Sequence, residues 1–131
     1  MAFNNIQTAP RNAQCDAFVD LIDGGTTDPG GDLQIHTAGF ATLLAEPEFG
    51  NPAFGAAAVG VATANAITDE SSAPATGTAA VLRIRDRDNA QLTDGSVGAP
   101  SAGEDLELNT TSITTGDVVT ITSATITAPA A

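Results

Sequence analysis

The chain has 131 residues, a length that allows one domain and hardly a second. Twenty-five residues are alanine, Phe is the only aromatic with five copies, and the four basic residues, all Arg, face sixteen Asp and Glu for a net charge of -12. Such a charge repels phosphate backbones and excludes nucleic acid as a partner. No apolar run approaches the roughly 18–20 residues of a membrane helix, and no basic, apolar-cored signal peptide opens the chain, so no membrane association is expected.

Residues 1–9 have no period and read as an extended N-terminal arm carrying Phe3 and Ile6. From residue 10 to 23 the pattern becomes helical: Ala13, Ala17 and Leu21, with Cys15, Phe18, Val19 and Ile22, recur at spacings of three and four. Thr8 is the expected N-cap, Pro10 suits the first turn and Gly24–Gly25 stop the helix. Asp16, Asp20 and Asp23 share the opposite, polar face.

Everything after Gly31 reads as strands and turns. Residues 33–37 alternate with Leu33 and Ile35 on one side, and residues 40–45 form a second short apolar run. Residues 51–58 and 61–67 read as two strands joined near Val59–Gly60. In the second, Ala62, Ala64 and Ala66 line one face, where another backbone can approach closely, in tight sheet packing or a subunit contact. A polar loop over 68–77 leads to the strongest strand, 78–86, with Ala80, Leu82 and Ile84 inward and Val81, Arg83 and Arg85 outward. A turn at 87–90 makes a hairpin with 91–93, and Gly and Pro mark 94–103 as a loop. Residues 105–109 and Ile113 supply one more strand or two fragments. The closing strand, 117–127, changes apolar phase between Val119 and Ile121 on one side and Ala124 and Ile126 on the other. That shift calls for a β-bulge near Thr122–Ser123 or a strand that swaps partners. The expected fold is mainly β, an antiparallel β-sandwich or jelly-roll-like domain with one N-terminal α-helix, spanning residues 10–131 as a single domain.

Groups able to do chemistry are few. Cys15 is alone, which rules out an intramolecular disulfide, fits a reducing cytoplasm and, within a helix, suggests a small buried hydrophobe. His36 is the only histidine, and a Cys15–His36 dyad lacks any accompanying nucleophile motif. No catalytic residue, cofactor or enzymatic activity is expected. Asp23, Asp28 and Asp32 sit in a Gly-rich loop and are the candidate calcium ligands, although their spacing departs from the EF-hand and the plain reading is a solvated loop. Arg83, Arg85 and Arg87 fall on alternate residues and so project from one face. They either pair with carboxylates on neighbouring strands or form a docking stripe for an acidic protein surface.

Several stretches carry a resemblance. Asn12–Asp23 (NAQCDAFVDLID) and Gly31–Thr37 (GDLQIHT) are followed by Asn51–Ile67 (NPAFGAAAVGVATANAI), Ala75–Gly98 (ATGTAAVLRIRDRDNAQLTDGSVG) and Asp105–Pro129 (DLELNTTSITTGDVVTITSATITAP). In collinear order over nearly the whole chain, these resemble a family of small β-rich virion structural proteins of tailed bacteriophages. Residues 38–50 depart from it, being shorter and more Pro-interrupted. The resemblance implies a head decoration (cement) protein, made in the host cytoplasm and bound to the capsid exterior. It also implies the major capsid protein as partner and self-association, with a trimer among the expected states. In that role Phe3 and Ile6 would anchor the arm, the Arg83, Arg85 and Arg87 stripe would set register, and the acidic remainder would face solvent. The alternative class is a binding module: a tail or fibre component, or a host-surface adhesin, with acidic loops 23–32 and 94–104 forming a calcium-assisted site. The absence of Trp and Tyr counts against sugar stacking in such a site.

Overall fold

In a computed structural model, residues 5–128 are described. The helix α1 spans Thr8–Ile22 and buries Cys15, Val19 and Ile22, a four-and-three spacing that gives it one apolar stripe. Its cap is Gln7, whose extended backbone accepts the first helical hydrogen bond from Arg11 N–H at 3.2 Å, so Thr8 lies inside the helix and not at its cap. The expected arm is shortened accordingly. Ile6 is half-buried, and Phe3 lies outside the described residues.

The strands are β1 (Asp32–His36), β2 (Leu43–Ala45), β3 (Glu48–Phe49), β4 (Val61–Thr63), β5 (Ile67–Thr68), β6 (Gly77–Thr78), β7 (Val81–Arg85), β8 (Gln91–Gly98), β9 (Leu106–Glu107), β10 (Ser112–Ile113) and β11 (Thr125–Thr127). The main sheet runs β5–β3–β1–β7–β8–β9, with β2 also paired to β1. Its pairs are antiparallel except β8–β9, and the small sheets β6–β10 and β4–β11 are antiparallel too. The fold is therefore mainly β and antiparallel-rich, with a single helix, in a sandwich-like arrangement. The helix α1 packs on β4 and β11, and together they share one apolar core with the inner face of the main sheet.

β1 and β7 form the centre because their alternation is strict: Leu33 opposes Ile84 and Ile35 opposes Leu82, and all four are buried. The chain enters β1 through Gly30 and Gly31. A Cβ on Gly30 would lie 2.1 Å from the Phe49 carbonyl oxygen, and one on Gly31 would lie 2.6 Å from that of Arg85. Here glycine is needed because several backbones converge, beyond any part it has in turning the chain after the helix.

Several segments differ from the pattern. Residues 40–45 divide into a 3-10 turn over Ala38–Phe40 and the short β2. Residues 51–58 hold only single bridges, Phe54 to Ala64 and Ala58 to Val61, although the turn between Ala58 and Val61 is a two-residue hairpin with positive φ at Val59 (52°) and Gly60 (74°). Ala62 is fully buried where β4 meets α1, so this part of the alanine row is spent on close internal packing. β8 continues through Asp94–Gly95 to Gly98, because pairing with β7 across Val81–Ser96 outweighs the turn preference of those residues. The long closing strand reduces to a bridge from Val119 to Glu70 and the later β11. Its change of apolar phase marks a crossing from one partner to another, with irregular chain at 120–124 where a bulged strand was the other possibility.

Candidate interaction groove

The polar face of α1 does structural work. Asn12 Oδ1 accepts the Gly60 N–H at 2.7 Å, Asp16 Oδ1 the Ala57 N–H at 2.7 Å, and Asp23 Oδ1 the Ala53 N–H at 2.8 Å. Arg11 donates to the carbonyls of Ala128 (3.1 Å) and Val59 (3.2 Å). The polar face thus fastens the Ala53–Gly60 segment, whose backbone amides lack a full strand partner.

On the outer face of the main sheet the arginines are paired. Arg85 forms two bonds to Asp32, 2.8 Å from Nε and 2.6 Å from Nη2, and a third of 2.6 Å to Glu46. Arg83 meets Asp94 at 2.9 Å with its guanidinium 4.2 Å above the Phe40 ring. Arg87 Nε donates to the Asp28 carbonyl at 2.7 Å. His36 joins the same face through Gln34 (3.1 Å) and the edge of Phe40, with ring centroids 5.2 Å apart. Burial, and then the charges of Arg83 and Arg85, hold the His36 pKa below its usual value. The Glu46 carboxyl is pushed up to about 7, first by burial and next by its hydrogen bond to Asp32 and that residue's charge, with Arg85 acting in the opposite direction.

The sequence candidates are therefore dispersed. Asp32 is held by Arg85 and Asp23 by the Ala53 amide, while Asp28 and Asp32 line a small cleft with Glu46, Glu48 and Glu70. Among the described residues no group of three or more His, Cys, Asp and Glu side chains is placed to hold a metal. Cys15 Sγ donates to the Ile126 carbonyl at 3.1 Å, whereas His36 alternates with the buried Ile35 and points to the other face of β1. The two do not form a dyad. No helix among the described residues is long and apolar enough to cross a membrane.

A concavity lies on the inner side. Between α1 and β11 on one wall and β8 and β9 on the other is a groove of about 890 Å³. Phe18, Leu33, Leu82, Ile84, Leu106 and Ile126 give it an apolar lining, and Glu104, Asp105 and Glu107 stand at its rim. Protein interiors leave few voids larger than a water molecule, so this opening is a feature of the layer arrangement and not a packing defect. Both flanking strands are sheet edges: β9 ends the main sheet, and β11 pairs with β4 alone. Sequence reading assigns Leu82 and Ile84 to the core, where both are buried, and has no signal for the groove beside them, which depends on where residues 120–128 cross.

Comparison with known protein families, with curated proteins and with solved structures finds no match to this chain. The family resemblance rests on the sequence stretches alone.

Proposed function

We propose that this chain is a structural protein of a bacteriophage virion. Its role is that of a decoration protein that binds the outside of the head and bridges major capsid protein subunits. The observation that carries the reading is the groove on the inner side of the sheet, lined by Phe18, Leu106 and Ile126 and rimmed by the exposed Glu104, Asp105 and Glu107. The groove gives a partner a concave surface to occupy, while Arg83 and Arg85 stabilise the protein's own sheet. Collinear resemblance to phage virion proteins supplies the identity of the partner. Binding only the assembled shell would stabilise it by mass action, and the remaining negative charge would keep particles apart.

The test is to strip purified particles of the protein, heat them, and add the protein back. Bare heads are expected to lose their contents at a lower temperature and to regain stability on addition, with the chain visible on the head exterior by cryo-EM. Equal stability with and without it, or its location elsewhere on the particle, overturns the reading.

A further inference from the structure

The groove's shape and charge define what can fill it. Its floor is apolar, with Leu33, Leu82 and Ile84 presented by the inner faces of β1 and β7. Its walls end in the edge strands β9 and β11, which among the described residues carry main-chain groups without a further strand beside them. An extended segment suits that slot, since alternate side chains would enter the floor while its backbone lies along an edge.

Charge decides between a second copy and a different protein. Glu104, Asp105 and Glu107 are all exposed at the mouth. A second copy would bring another net charge of -12 and no lysine. All four arginine side chains already have partners: Arg11 on Ala128 and Val59, Arg83 on Asp94, Arg85 on Asp32 and Glu46, and Arg87 on Asp28. Self-association through this rim would set carboxylates against carboxylates between two chains that each carry a net charge of -12, with Arg83 and Arg85 already in ion pairs.

We infer that the groove between β11 and β9 receives an extended segment of another protein, with alternating apolar residues flanked by Lys or Arg. This rests on the reading of the chain as an interaction protein and names the chemistry of its partner. The apolar residues supply contact with Phe18, Leu82, Ile84 and Ile126, and the flanking cations meet Glu104, Asp105 and Glu107. Rim charge of this kind governs encounter rate and selectivity, so binding weakens with salt.

The probe is a short synthetic peptide of alternating Val and Thr with two Lys at each end, titrated into the isotopically labelled full chain and followed by amide chemical shifts. Shifts are expected at Leu106, Glu107 and Thr125–Thr127, and a Glu-flanked version of the peptide should give none. Two exposed positions allow a test without disturbing the core: Glu104→Lys reverses rim charge where the side chain serves no internal hydrogen bond among the described residues, and Thr125→Arg narrows the mouth. Each should weaken binding by roughly tenfold or more. Failure of the Lys peptide to bind overturns the inference, as does equal binding of the Glu peptide, indifference to both substitutions, or groove shifts produced by raising protein concentration alone. The particle experiment is separable from this one. Decoration of heads that is unaffected by Thr125→Arg removes the groove assignment alone, whereas peptide binding by a protein absent from heads removes the decoration reading alone.

Discussion

The two faces of β1 and β7 make a useful contrast. On the outer face, charges that look available in the sequence are consumed: Asp32, Glu46 and Arg85 form one cluster, and Arg83 is held by Asp94 and Phe40. On the inner face, side chains that look like ordinary core, Leu33, Leu82 and Ile84, lie along an opening. A row of cations on a strand is therefore a poor guide to an interface when the neighbouring strands carry carboxylates in register.

The largest expected effect comes from breaking the outer cluster. Arg85→Met leaves Asp32, whose side chain is 10% exposed, beside Glu46 without its cation. Stability to urea should drop by about 3 kcal/mol, and the double variant that also carries Asp32→Asn should recover much of it. An unchanged midpoint for Arg85→Met would mean that the outer face is not held by this cluster.

Next in size is the fastening of the inner cover. Asp16→Ala removes the acceptor for the Ala57 amide and should cost about 1–2 kcal/mol in thermal denaturation. Hydrogen exchange should rise over residues 53–60 before it rises in β1 and β7. Uniform loss across the chain would show that this layer is not a separable element.

A smaller effect, of opposite sign, is expected at the hairpin tip of the same layer. Val59 is 69% exposed and has a φ of 52°, a left-handed conformation that suits a β-branched side chain poorly. Val59→Asn should raise stability by about 1 kcal/mol, measured by chemical denaturation.

The least of the four concerns pH. Glu46 binds its proton more tightly in the folded protein, with a pKa of about 7 against an ordinary 4.5. The folded state thus holds a proton that the unfolded state releases, and this contribution is full below 4.5 and lost as pH rises through about 7. Solvent screening keeps it small, because the side chain is 35% exposed. Denaturant midpoints should fall over that interval, and Glu46→Gln should flatten the slope.

Legibility in the sequence followed locality. The helix was readable because Cys15, Val19 and Ile22 recur at its period, and β7 because Leu82 and Ile84 alternate with Arg83 and Arg85. The hairpin turns at Val59–Gly60 and Arg87–Ala90 were readable for the same reason. Less was legible where the deciding partner is far along the chain. Asp16 and Asp23 read only as members of the helix's opposite face until residues 53–57 are brought to them. Asp23, Asp28 and Asp32 look like a ligand set until Arg85 and Ala53 claim two of the three. The crossing at 120–124 was visible only as a change of phase, with its destination unspecified.

What the amino-acid order determined by itself was the mainly β character, the helix α1, the inward and outward sides of the central strands, and the strong negative charge. These depend on side-chain period and net charge, which are properties of neighbouring residues and of composition. Only the tertiary structure decided which carboxylate meets which arginine, which face of α1 binds the backbone, and where a groove opens between α1 with β11 and β8 with β9. Those outcomes depend on contacts between residues tens of positions apart, and the free energy of such a contact is set by geometry that no local pattern encodes.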